Sequence, residues 1–133
     1  MILVDSTVWI DLLRGQRSAP VAMLDRLLDL GEAAVAPVIV QEVLQGASSP
    51  DSLKRLRTHF LALPILEPRP GAATHAEAAA LYARCRWAGI TPRSPHDCLI
   101  AALAIKHRVP LLHDDRDFES IAEVEDRLVL TRG

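Results

Sequence analysis

Aromatic side chains make up only 4% of the 133 residues, too few to build the base-stacking platforms of RRM or OB modules. The six glycines are scattered at the ends of helix-like segments, so there is no glycine-rich phosphate loop. Two cysteines, Cys85 and Cys98, stand in apolar stretches without CxxC or Cys/His spacing. That excludes a disulfide scaffold and predicts two reduced core thiols, as in a cytosolic protein. Long apolar runs are missing as well. Ala33–Val40, with Pro37 inside it, falls far short of the roughly 20 residues of a membrane-spanning helix. Met1-Ile2-Leu3-Val4-Asp5 puts an acid directly after the apolar start and has no basic leader, which is not the pattern of a secretion signal. An excess of one charge is lacking too. The net charge of −2 gives no basic field to coat nucleic acid non-specifically. Lysine is almost absent: only Lys54 and Lys106 occur, and 13 of the 15 basic residues are arginines, the side chain shaped for bidentate phosphate contact.

What is present is a chain 50% hydrophobic, long enough to bury about two-thirds of its unfolded surface and hold a core without staples. It is expected to form one domain over residues 1–133. Short apolar runs alternate with segments of helical period. Ile2–Val4 reads as a buried strand, followed by a helix with Val8, Trp9, Leu12 and Leu13 on one face and Gly15 as its stop. A second helix carries Val21, Leu24, Leu27 and Leu28 and ends at Gly31. Ala33–Ala36 is a weak strand, Pro37 opens a helix ending at Gly46, and Ser49-Pro50 opens another with Leu53, Leu56, Phe60 and Leu63 inward. Pro64–Glu67 is a further strand candidate. Thr74-His75-Ala76-Glu77 has capping-box spacing before an alanine-rich helix reaching Gly89, and Ser94-Pro95-His96-Asp97 repeats it before the apolar segment Cys98–Lys106. Val109–Leu112 and Leu128–Leu130 are two more strands around a short helix, Asp117–Val124. The alternation predicts an α/β three-layer sandwich, with a central parallel sheet of four to five strands flanked by helices.

In such a sheet the ligand site lies at the carboxyl ends of the strands, where the strand order reverses. Asp5 ends the first strand, and Asp114, Asp115 and Asp117 follow Val109–Leu112. Glu42 lies in the helix entered from Ala33–Ala36, and Asp97 in the first turn of the most apolar helix. Each acid alone has an ordinary structural explanation: Asp5 and Asp97 as helix caps, Glu42 on a solvated face, Asp114–Asp117 as a charged turn. Together, four segments bring acids to one edge, where mutual repulsion would raise their pKa unless a cation neutralised them. Oxygen ligands of this kind select Mg²⁺ or Mn²⁺. His96 reads as a surface or capping residue, while His59, His75 and His107 have no partner spacing. Cys98, in its apolar helix, lacks the setting of a nucleophile. Arg84, Arg86 and Arg93 lead toward Asp97 and are either a solvated face or phosphate contacts.

Val4-Asp5-Ser6-Thr7, Glu42-Val43-Leu44-Gln45-Gly46, the run Ser94–Ala104 and Leu111–Phe118, with its Asp114-Asp115-Arg116-Asp117, resemble in order the motifs of PIN-domain ribonucleases, and most of all the VapC toxin branch of type II toxin–antitoxin systems. The resemblance covers essentially the whole chain. It implies a PIN-like fold and a Mg²⁺- or Mn²⁺-dependent endoribonuclease. Asp5, Glu42, Asp97 and Asp115 fall on the family's metal-binding catalytic acids, and Asp117 on an auxiliary acid beside them. It further implies a growth-inhibiting cytoplasmic toxin that cuts structured RNA (tRNA or ribosomal RNA), is held inactive by a cognate VapB-like antitoxin, and forms a homodimer. Thr7, Arg93 and Ser94 are the expected substrate contacts. The chain departs from the family at Ser6-Thr7, where Thr then Ser or Asn is more common, and at His113, where Thr is common. The alternative is a non-enzymatic Mg²⁺-binding phosphoryl-receiver module. It needs an acceptor Asp after the third strand and a Lys after the fifth, whereas the sequence offers Glu67 and Thr131-Arg132-Gly133. A haloacid-type phosphatase would need an acid where Thr7 stands.

Overall fold

A computed structural model describes residues 1–133. In chain order the elements are β1 (Ile2–Val4), α1 (Ser6–Leu13), α2 (Ala19–Leu30), β2 (Ala33–Ala34), α3 (Pro37–Leu44), α4 (Pro50–Leu61), α5 (Gly71–Trp87), α6 (Pro95–His107), β3 (Leu111–Leu112), α7 (Arg116–Val124) and β4 (Leu130–Thr131). The four strands form one parallel sheet in the order β2-β1-β3-β4. Both faces are covered, which is why Leu3, Val4, Leu111 and Leu112 are all fully buried and why these strands are continuous apolar runs without alternation. The helices pack in two groups, α1 to α4 and α5 to α7, with α5 lying along α6.

Ser18 and Ser49 cap α2 and α4 with their hydroxyls, and proline stands in the first turn of each, as the punctuation of the sequence demands. Gly31 ends α2 in the left-handed conformation at φ 68°, where a side chain would clash with the following carbonyl. Helix α6 is buried from Asp97 to Ala104. It is the central helix expected from a segment apolar on nearly every face.

Several local expectations change. Pro64–Glu67 does not become a sheet strand: it makes one isolated parallel bridge, Ile65 to Val35. Val35 N–H donates to Pro64 O and Leu66 N–H to Val35 O; Pro64 and Pro68 flank the segment and have no N–H with which to extend the ladder. Thr74 is not a cap. Helix α5 starts at Gly71, and the Thr74 hydroxyl donates to Pro70 O at 2.8 Å inside it. Leu13 and Leu53 are exposed, because α1 and α4 turn them away from the core at their outer edges. Cys85 and Cys98 are free and buried, as expected.

The topology positions the site. The chain leaves β1 to form β2 on one side, then crosses back to form β3 on the other. The winding therefore reverses beside β1, and the carboxyl ends of β1 and β3 border the switch point.

Candidate active site

Asp5 follows β1 directly and is 2% exposed. Its N–H donates to Leu112 O of β3, so the sheet fixes its backbone. Its carboxylate caps α1, with Oδ2 accepting from Thr7 N–H at 3.2 Å and from the Thr7 hydroxyl at 2.6 Å. The cap and the site are thus the same group. Burial raises its pKa, and the bonds from Thr7 pull against that rise. Trp9 stands behind it as core: its ring N–H donates to Val4 O at 3.1 Å, and its ring meets Phe60 edge-on at 4.9 Å.

Asp97 enters in the first turn of α6, where Ser94 is the N-cap and its hydroxyl accepts from His96 N–H. The carboxyl of Asp97 is pushed up to about 7, first by burial and then by Asp5, Asp115, Asp117 and Glu42. Glu42 on α3 is raised by burial and by Asp5. Its Oε2 lies 3.7 Å from His96 Nδ1, while its Oε1 is buried with no hydrogen-bond partner. Asp115 caps α7, accepting from Asp117 N–H at 2.9 Å.

Asp97, Asp115 and Asp117 each offer a carboxylate oxygen within 4.8 Å of the others. Asp5 and Glu42 are near enough for their charges to help raise Asp97, though they are not part of the three-acid group. Three acids in reach of one ion, two more beside it and an orphaned buried carboxylate oxygen on Glu42 form the donor set that a hard divalent cation needs. The residues present therefore fit a hard divalent cation. Asp114, by contrast, is drawn away by Arg132 at 2.8 Å.

The expected substrate contacts are all engaged within the protein. The Thr7 hydroxyl holds Asp5 and that of Ser94 caps α6. Arg93 lies across the acids, with Nη2 donating to Asp115 Oδ1 at 2.9 Å and Nε to Asp117 Oδ2 at 3.0 Å. Its backbone N–H also donates to Asp117 Oδ2. Burial alone would raise the Asp117 carboxyl, but the two Arg93 bonds to it and the guanidinium charge outweigh that and hold the pKa below the usual range. Arg84 and Arg86 do not extend a track toward the acids: Arg84 pairs with Glu125 at 3.1 Å, and Arg86 lies over Tyr82.

Two features were not read from the sequence. One is the direct Arg93 contact with the acids, whose only trace is an arginine four residues before Asp97. The other is His113, fully buried, its Nδ1 accepting from Asp115 N–H at 3.2 Å and its ring edge-on to Phe118. Burial lowers its pKa, so it is a neutral prop beneath Asp115. A cavity of about 880 Å³, lined by Leu81, Arg84, Lys106, Arg108 and Glu125 among others, shares no residue with the acid cluster.

The PIN domain pattern matches residues 2–124. Two similar relatives are the VapC ribonuclease Mb1587 of Mycobacterium bovis and the ribonuclease VapC11 of Mycobacterium tuberculosis, each 36% identical over 126 residues and covering 93% of both chains. Among solved structures, VapBC2 from Rickettsia felis bound to a promoter DNA fragment superposes with a TM-score of 0.75 at 16% identity, over 98% of each chain. FitAcB from Neisseria gonorrhoeae gives 0.70 at 21% identity, over 99% of this chain and 97% of that one. The two structures share the fold. The chain belongs to the PIN-domain family and, within it, to the VapC ribonucleases.

Proposed function

We propose that this chain, as a single PIN-like domain over residues 1–133, is a Mg²⁺- or Mn²⁺-dependent endoribonuclease and the toxin of a type II toxin–antitoxin pair. The observation that carries the reading is the convergence of Asp97, Asp115 and Asp117 within 4.8 Å at the switch point of the sheet. Asp5 and Glu42 complete the set of five acids. A divalent ion held by them would activate a water for attack on the phosphodiester and neutralise the charge that builds on the phosphorus oxygens.

The protein's own residues do the rest. Thr7 fixes the Asp5 carboxylate, and the α7 cap fixes Asp115, so little reorganisation is needed on loading. Asp97, near 7 without metal, is about half protonated at neutral pH, and a cation bound there would displace that proton, which makes metal uptake depend on pH. With five acids at its centre and a net charge of −2, the protein repels phosphate until a cation is bound. Docking must therefore rely on a few local donors, with Arg93, Ser94 and Thr7 the expected ones once released from their partners within the protein, and on substrate shape. That supports a structured RNA, tRNA or ribosomal RNA, over arbitrary single strands.

One solved neighbour is by its title a toxin–antitoxin complex from Klebsiella pneumoniae, and the 36% identical relatives are VapC ribonucleases. Both support a cognate VapB-like antitoxin as partner, while the homodimer rests on the family resemblance alone. No helix is long and apolar enough to cross a membrane; a cytoplasmic site of action rests on the family resemblance. Expression of the chain alone should arrest growth, and co-expression of the adjacent small gene should relieve the arrest. Normal growth at high levels of folded protein would count against the toxin reading.

A further inference from the structure

Arg93 is the one basic residue whose guanidinium lies on the acid cluster, and it does so on the two acids that share a potential metal position with Asp97. Nη2 reaches Asp115 Oδ1 at 2.9 Å and Nε reaches Asp117 Oδ2 at 3.0 Å. A hard divalent ion draws on the same carboxylates. Its charge and that of the guanidinium repel each other, and an oxygen donating its lone pairs to N–H groups has less to offer a metal. The Arg93 side chain is 78% exposed, and its backbone is already anchored by the N–H bond to Asp117. The guanidinium can therefore leave the carboxylates without disturbing the core.

We propose that Arg93 is a resident counter-cation of the metal site: it competes with divalent metal for Asp115 and Asp117 in the free protein, and it is released toward RNA phosphate when metal enters. The inference rests on the reading of these acids as metal ligands. It adds a coupling between the two ligands. A phosphate that takes Arg93 frees the carboxylates and strengthens metal binding, and by reciprocity metal strengthens RNA binding by the same factor. Metal-loaded protein without RNA is then disfavoured, so the site completes itself on substrate.

The test is titration of Mn²⁺ into chelator-treated full-length protein by calorimetry, without RNA, for the wild type, Arg93→Ala and Arg93→Lys, with circular dichroism to verify folding. Exposed ion pairs are individually weak, so two of them predict that Arg93→Ala binds Mn²⁺ about three- to tenfold more tightly at 50 mM salt. That gain should shrink toward unity at 500 mM salt, where screening already weakens the resident pair. Arg93→Lys, which keeps the charge but not the fork, should fall between the two. At saturating Mn²⁺ the Ala variant should cleave RNA more slowly than wild type, so metal affinity and activity move in opposite directions. A residue that merely ordered the loop would lower both. Equal or weaker Mn²⁺ binding by Arg93→Ala overturns the proposal and leaves the metal reading standing. Failure of both wild type and variant to bind Mn²⁺ overturns both.

Discussion

Asp97→Asn should make the metal-free protein more stable at neutral pH, although it removes a residue central to the site. Folding holds the Asp97 carboxyl at about 7, against about 3.9 in an unfolded chain, so the folded state binds a proton that the unfolded state releases. The sign follows from linkage. As pH rises from about 4 through 7 the buried charge is progressively forced on the fold, and stability is lost over that window. The full separation corresponds to about 4 kcal/mol at pH 8. Neighbouring Asp5 and Glu42 absorb part of this by shifting their own protons, which leaves about 2–4 kcal/mol for asparagine to recover. For a chain of this size one kcal/mol moves Tm by about 3–4 °C, so the variant should melt roughly 6–15 °C higher at pH 8 in EDTA. The gap should close by about pH 4. The assay is differential scanning calorimetry of both proteins across pH 4–8, with and without Mn²⁺. Mn²⁺ at about a thousand times its Kd should reverse the order, since that excess adds about 4.1 kcal/mol to the protein that binds it. A variant that melts lower in EDTA at pH 8, or a gap independent of pH, would refute the reasoning.

Thr7→Val removes the 2.6 Å bond to Asp5 and should weaken Mn²⁺ binding about tenfold by calorimetry, as loss of a residue supporting a ligand typically does. Glu125, held near 2 first by Arg127 and helped by Arg84, contributes stability above its ordinary pKa that disappears as pH falls toward 2. Glu125→Gln should therefore cost about 1–3 kcal/mol in urea unfolding at pH 7, a cost that fades on acidification. Phe118 is fully buried against His113, and Phe118→Ala should cost about 3–5 kcal/mol. Because Phe118 lies in α7 beside Asp115 and Asp117, Mn²⁺ affinity should fall with it.

The parts of the fold that were legible in the sequence are those set by local chemistry. Ile2–Val4 followed by Asp5 could only be a buried strand ending in an acid, and the apolar Cys98–Lys106 segment could only be a central helix. Proline and glycine marked where α2, α3, α4 and α6 begin or end. The illegible parts depend on partners distant in sequence. Pro64–Glu67 has the apolar content of a strand, but whether it joins the sheet turns on a neighbour with free N–H and C=O groups, and only Val35 supplies them. Thr74 has the spacing of a cap, yet the helix was already under way at Gly71. Asp5 and Asp115 were legible from their place after strands and Glu42 from a helix entered from one, whereas Asp97, in the first turn of α6, joined the set through the shared edge and the resemblance to PIN-domain ribonucleases. The contact of Arg93 with Asp115 and Asp117 spans 22 and 24 residues and follows no periodicity, so the sequence offered the arginine without its target.

The most direct test of the account is cleavage by purified wild-type and Asp97→Asn protein of total RNA, a DNA duplex and a poly-pyrimidine strand in one Mn²⁺ buffer, with EDTA controls. The account predicts discrete cuts in structured RNA by the wild type alone, abolished by EDTA, with the other two substrates left intact. Equal degradation of all three substrates, or wild-type cleavage rates in Asp97→Asn, would contradict it.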